Sequence, residues 1–176
     1  LDHVGTKIIK PTLKAMDARG HPYTGFLYVG LMIVDGKPYV IEFNVRMGDP
    51  ETQVVLPLLK SSFFELLWHA TEGTLYKTDV KISSKTAVTV VMAAEGYPGC
   101  YEKGMRIMGL DKLKDRLIFH AGTLQDSHET LTTGGRVLNA VGIGNDLPSA
   151  VADAYEIVKK INFDGMFYRR DIGRKA

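Results

Sequence analysis

An α+β fold is predicted by three observations. Apolar residues recur at helical spacing near both ends of the chain, an Asp-Gly turn joins two apolar β-rich runs early on, and beyond about residue 86 the texture changes to short strands and glycines. The chain has 176 residues, 45% hydrophobic and 24% charged, which is the composition of a soluble globular protein with material for one medium domain or two small ones. Wholesale disorder and a bilayer-spanning segment are excluded, since no run approaches the roughly 20 apolar residues that a spanning helix needs. Its 22 Lys+Arg and 20 Asp+Glu are scattered and give a formal +2, so neither nucleic acid nor a membrane is expected as a partner. The single cysteine, Cys100, cannot form an internal disulfide, which suits a reducing, cytoplasmic setting, and it is expected to be a small buried or half-buried side chain. The first residues, Leu1-Asp2-His3, lack an initiator Met and the features of a signal peptide, and the true beginning is expected to lie upstream.

The elements follow in order. Val4, Ile8, Ile9, Leu13 and Met16 recur at spacings of three to five and predict an amphipathic helix from Val4 to Arg19, kinked at Pro11 and stopped by Gly20. Phe26 to Val34 and Tyr39 to Val45, separated by Asp35-Gly36, predict a hairpin. In its second strand Ile41, Phe43 and Val45 share the expected core face, and Glu42, Asn44 and Arg46 share the other. A two-residue turn places Glu42 opposite Val29 and Asn44 opposite Leu27. Asp49-Pro50-Glu51 has the form of an N-cap, a proline at N1 and a first-turn acid, opening a helix through Leu56 that Pro57 interrupts. Ser62 with Glu65 has capping-box spacing, and Phe63, Leu66, Leu67 and Ala70 form the buried face of the helix it starts.

The polar stretch from Tyr76 to Lys85 reads as a linker. Strands are expected over Ala87–Ala93, Leu117–His120 and Arg136–Val141, with turns at Gly96-Tyr97-Pro98-Gly99 and Gly134-Gly135. Leu147, Val151, Ala154, Val158 and Ile161 make a helical stripe with Pro148 near its start.

Chemistry concentrates in the segment from Glu42 to Glu51. Glu42 and Asn44 offer two oxygens about 7 Å apart along one strand face, able to grip a hard cation whose remaining ligands are waters and phosphates, as Mg²⁺ prefers. Arg46 could hold a phosphoryl or carboxylate group bidentately. The same pattern also suits the solvated face of an ordinary hairpin. Asp49 serves equally as a cap, and Glu51 as a carboxylate favoured by the helix dipole. The five histidines lie far apart and suit packing or surface roles. No nucleophile elbow or P-loop is present. The glycine turns at 96–99 and 133–136 could bind an anion through backbone N–H groups, or simply turn the chain.

The run Tyr23-Thr24-Gly25-Phe26-Leu27-Tyr28-Val29-Gly30-Leu31-Met32, the segment Glu42-Phe43-Asn44-Val45-Arg46-Met47-Gly48-Asp49-Pro50-Glu51-Thr52-Gln53 and Leu56-Pro57-Leu58-Leu59-Lys60 closely resemble the glycinamide ribonucleotide synthetases (phosphoribosylamine-glycine ligases) of the ATP-grasp superfamily. So do Gly96-Tyr97-Pro98-Gly99, Lys103-Gly104, Phe119 to Thr123, Thr133 to Leu138 and Arg170-Asp171-Ile172-Gly173, so that the resemblance covers essentially the whole chain. It implies the C-terminal part of an ATP-grasp domain (an antiparallel hairpin plus helices) over residues 1–76. A linker at 77–85 and a small mixed β-sheet domain with a helix, 86–176, would follow.

The activity implied is ligation of glycine to 5-phosphoribosylamine with ATP as substrate, through glycyl phosphate, in purine synthesis. By carry-over, Glu42 and Asn44 are ligands of Mg²⁺ or Mn²⁺, Arg46 steadies the transferring phosphoryl group, Asp49 and Glu51 contact the amine or ribose substrate, and Leu31 lines the ATP pocket. Ser62 stands where the family usually has Asp, with little consequence for a cap. The family's N-terminal half is expected to precede Leu1, and the chain alone to be inactive and monomeric. An isolated non-catalytic fragment, or another ATP-grasp ligase of purine synthesis, are the alternatives.

Overall fold

The computed structural model describes residues 2–174. In chain order, helix α1 (Asp2–Val4), a π-helical stretch (Gly5–Ile9) and helix α2 (Lys10–Ala18) precede strands β1 (Tyr28–Val34) and β2 (Lys37–Asn44). A short helix α3 (Thr52–Val55), a 3-10 turn (Leu56–Leu58) and helix α4 (Phe63–Thr71) follow. The rest of the chain forms β3 (Thr86–Ala94), β4 (Leu117–His120), β5 (Thr123–Asp126), β6 (Glu129–Thr132), β7 (Arg136–Gly144), α5 (Leu147–Val158) and β8 (Met166–Phe167). The α+β class read from the sequence holds. No helix among the described residues is long and apolar enough to cross a membrane.

Two compact units are present: the residues up to Gly48 together with Ser61–Val80, and Asp49–Lys60 together with the residues from Lys81 on. In the first unit the N-terminal helical segment turns π-helical just before Pro11, and the Lys10 amide donates to the Gly5 carbonyl, five residues back. That wider turn accommodates a proline that cannot donate into an α-helical ladder. Gly20, with φ of 77°, ends the helix in the left-handed region. Phe26 stacks on Phe63 at 6.1 Å between ring centroids. Helix α4 starts as its sequence predicts: the Glu65 amide donates to Ser62 Oγ at 3.2 Å.

The hairpin β1–β2 departs from its predicted register. Lys37 to Val40 pair with Val34 to Leu31 as a two-residue turn dictates, but the register shifts between Gly30 and Leu31, and Glu42 then faces Gly30 while Asn44 faces Tyr28. Ile41 is the extra residue, a β-bulge in the second strand. The face expected to be core is also open: Ile41, Phe43 and Val45 are 62%, 44% and 71% exposed. Among the described residues this sheet has two strands, and a two-stranded hairpin by itself offers little to bury apolar side chains against.

The second unit holds the core. A four-stranded sheet runs in the order β4-β7-β3-β8. Every pairing in it is antiparallel, where a mixed sheet was expected, because β7 runs against both of its neighbours and β8 runs against β3. Val88, Val90 and Met92 of β3 and Leu138 and Ala140 of β7 pack with Ala150, Ala154, Ile157 and Val158 of α5, and Ile161 and Phe163 complete the cluster. Helix and strand approach closely at Gly142, where a Cβ would collide with the Ala150 carbonyl and the Ala154 amide. A capping box opens α5: the Ser149 amide donates to Asp146 Oδ1 at 2.9 Å, and Pro148 sits in the first turn. The hydroxyl and then the amide of Ser149 hold the Asp146 carboxyl below its ordinary value.

Two further differences concern segments of low sequence contrast. The small antiparallel hairpin β5–β6 has no apolar alternation to announce it. The stretch read as a linker is partly paired: the Lys60 amide donates to the Lys81 carbonyl at 2.8 Å and the Ser83 amide to the Leu58 carbonyl at 2.7 Å. Cys100 is exposed, against the burial expected of it, because it closes the surface turn that begins at Gly96.

Candidate functional site

The first unit carries the oxygen pair. Glu42 and Asn44 lie beyond the bulge, in a regular stretch of β2 that pairs with Gly30 to Tyr28, so both side chains leave the same face. Glu42 is exposed and Asn44 half-buried. Gly30 makes room for the carboxylate: a Cβ built there would lie 3.0 Å from Glu42 Cγ, tighter than ordinary van der Waals contact. A carboxylate and an amide carbonyl are hard oxygen donors, which fits a divalent cation that completes its shell with phosphates and water. Among the described residues no group of three or more His, Cys, Asp or Glu could hold a metal without such help.

Arg46 is not the third residue of that strand face. Strand β2 ends at Asn44, Arg46 lies in the bend after it, and its Nη1 donates to the Met47 carbonyl at 2.9 Å. Leu31 is half-buried and pairs with Val40 at the edge of the bulge.

The second unit opens at Asp49, and its role differs from the expected cap. The helix begins at Thr52, with Glu51 rather than Asp49 at the capping position. The carboxylate of Asp49 is instead held laterally. Gln53 Nε2 donates to Oδ1 at 3.0 Å, Arg136 Nη2 donates to Oδ2 at 2.6 Å, and Arg136 Nη1 donates to the Asp49 carbonyl at 2.9 Å. Glu51 is exposed, and its carbonyl accepts from the Val54 and Val55 amides.

Arg136 is the residue that sequence reasoning missed, although the glycine turn before it had been singled out. That turn is a packing device. Gly122 and Gly134 approach so closely that a Cβ on Gly122 would stand 2.6 Å from the Gly134 nitrogen, and Gly135 lies against the ring of Tyr97. The chain there delivers Arg136 to the start of β7. His69 and His120 are bonded locally, to the Thr74 hydroxyl at 2.8 Å and the Thr123 hydroxyl at 3.0 Å.

Comparison with known proteins bears on the whole chain. Residues 87–175 match the family model described as phosphoribosylglycinamide synthetase, C domain, and residues 1–52 match that of the phosphoribosylglycinamide synthetase ATP-grasp (A) domain. A phosphoribosylamine–glycine ligase of Chlorobaculum tepidum is 47% identical over 98% of this chain and 41% of its own length. One of Neisseria meningitidis serogroup B is 49% identical over 97% of this chain and 41% of its own length. The crystal structure of the phosphoribosylamine–glycine ligase of Thermotoga maritima superposes with a TM-score of 0.81 at 42% identity, over 92% of this chain and 40% of that one. The chain thus spans about two fifths of the length of these relatives.

Proposed function

The chain belongs to the phosphoribosylglycinamide synthetase family, and from that premise we propose that it forms the C-terminal part of a ligase joining glycine to 5-phosphoribosylamine at the expense of ATP. The glycine carboxylate attacks the γ-phosphorus, its bond to the ADP oxygen breaks, and glycyl phosphate forms. The amine nitrogen of phosphoribosylamine then attacks the glycyl carbonyl, phosphate leaves, and the nitrogen loses a proton, giving glycinamide ribonucleotide.

The observation that carries this reading is the oxygen pair Glu42 and Asn44, displayed on one face of β2 with Gly30 opposite. These two residues would hold Mg²⁺ or Mn²⁺. A divalent cation there supplies neutralisation of phosphate charge during phosphoryl transfer, a reaction driven chiefly by positioning and electrostatics. Arg46 offers its fork of N–H donors to the transferring group. Leu31 lines the side of the nucleotide, and Asp49 and Glu51 bind the amine or ribose end of the second substrate. The rest of the active site comes from the remainder of the enzyme, which is cytoplasmic and monomeric in this reading.

The full-length protein, supplied with ATP and Mg²⁺, releases ADP only when glycine and phosphoribosylamine are both present, and mass spectrometry finds glycinamide ribonucleotide. ADP release that ignores either substrate would contradict the assignment.

A further inference from the structure

The geometry points to Arg136 and Gln53 as positioning residues that act through Asp49, and this inference rests on the ligase reading above. Asp49 stands two residues before Glu51, the N-cap of α3, and so lies outside the capping position, and both of its oxygens are committed sideways to Gln53 and Arg136. Arg136 adds a second bond, from Nη1 to the Asp49 backbone carbonyl, so one guanidinium fixes the side chain and the main chain of the same residue. A planar fork does this with two donors in fixed relative positions, a geometry that the flexible point charge of a lysine ammonium does not impose.

The supports are themselves placed firmly. Gln53 belongs to α3, which packs on β3 and β7, and Arg136 follows the tight glycine turn whose close approach to Gly122 fixes its path. The ion pair is still accessible, with side chains 37% and 44% exposed for Arg136 and Asp49. A pair this open adds little to stability. It leaves the free lone pair of each carboxylate oxygen in a single orientation, which is what a group that contacts a small polar substrate requires.

The test is a cycle of variants in the full-length enzyme: Arg136→Gln, Asp49→Asn and the double variant, with Arg136→Lys alongside, and thermal unfolding to verify folding. Arg136→Gln raises KM for phosphoribosylamine by about ten- to a hundredfold and leaves KM for ATP within twofold, and Arg136→Lys lies between it and wild type. In the double variant the Arg136 change adds no further loss, because its effect passes through Asp49. The inference is overturned if the losses of the two single variants multiply in the double variant, or if KM for both substrates rises equally. The latter outcome read on Arg136→Lys also decides the matter should Arg136→Gln not fold. If wild type shows no turnover dependent on glycine and phosphoribosylamine, the ligase reading fails instead, and separately.

Discussion

Glu42 illustrates how a single missing side chain shapes a site. Its partner across the hairpin is Gly30, whose Cβ would press on Glu42 Cγ at 3.0 Å. Gly30→Val therefore displaces the carboxylate, and the full-length enzyme should need a several-fold higher Mg²⁺ concentration for half-maximal rate while its unfolding temperature changes little. An unchanged Mg²⁺ requirement would show that Glu42 is placed independently of Gly30. The positions of Glu42 and Asn44 on one face were legible from strand alternation alone. The partner of Glu42 was not, because the bulge at Ile41 shifts the register by one residue and no turn residue or proline marks it. Arg136 was illegible as a partner of Asp49 for a simpler reason: the two are 87 residues apart, and nothing in local sequence links them.

At the scale of elements, legibility followed contrast between apolar and polar positions. Strand β7 and helix α5 carry largely apolar or cleanly periodic residues, and both appear near where the pattern put them, although β7 runs on to Gly144 and α5 ends at Val158, leaving Ile161 of the stripe beyond the helix. In β5 and β6 the sequences TLQD and ETLT offer no such contrast, and their hairpin turns through Ser127 at positive φ rather than through a glycine. The start of α5 makes a pH-dependent contribution that can be isolated. Because Ser149 lowers the Asp146 carboxyl below 3.8, the folded state binds the proton less readily than the unfolded chain, so the stabilisation is complete above that value and is lost as pH falls through the lower folded one. The difference in unfolding temperature between the chain and its Asp146→Ala variant should be constant near neutrality and shrink below pH of about 4. A gap that persists undiminished at lower pH would mean that the cap does not depend on the ionised carboxylate.

Across the whole molecule the two units differ in how they bury apolar surface. The second is organised around Val90, Met92, Leu138, Ala154 and Ile157, each at most 1% exposed, and folds about the contact of α5 with β3 and β7. In the first, apolar residues such as Ile41, Val45 and Trp68 remain exposed at 62%, 71% and 57%, and one face of β2 carries Glu42 and Asn44. In the proposed reaction the oxygen pair would come from one unit and the braced Asp49 from the other. Glu42→Ala in the full-length enzyme measures the central assignment most directly, by ADP release dependent on glycine and phosphoribosylamine. Turnover should fall by about a hundredfold or more, the scale expected when electrostatic stabilisation of a transferring phosphoryl group is removed, while the unfolding temperature stays near that of wild type. A folded Glu42→Ala enzyme with turnover within twofold of wild type would contradict it.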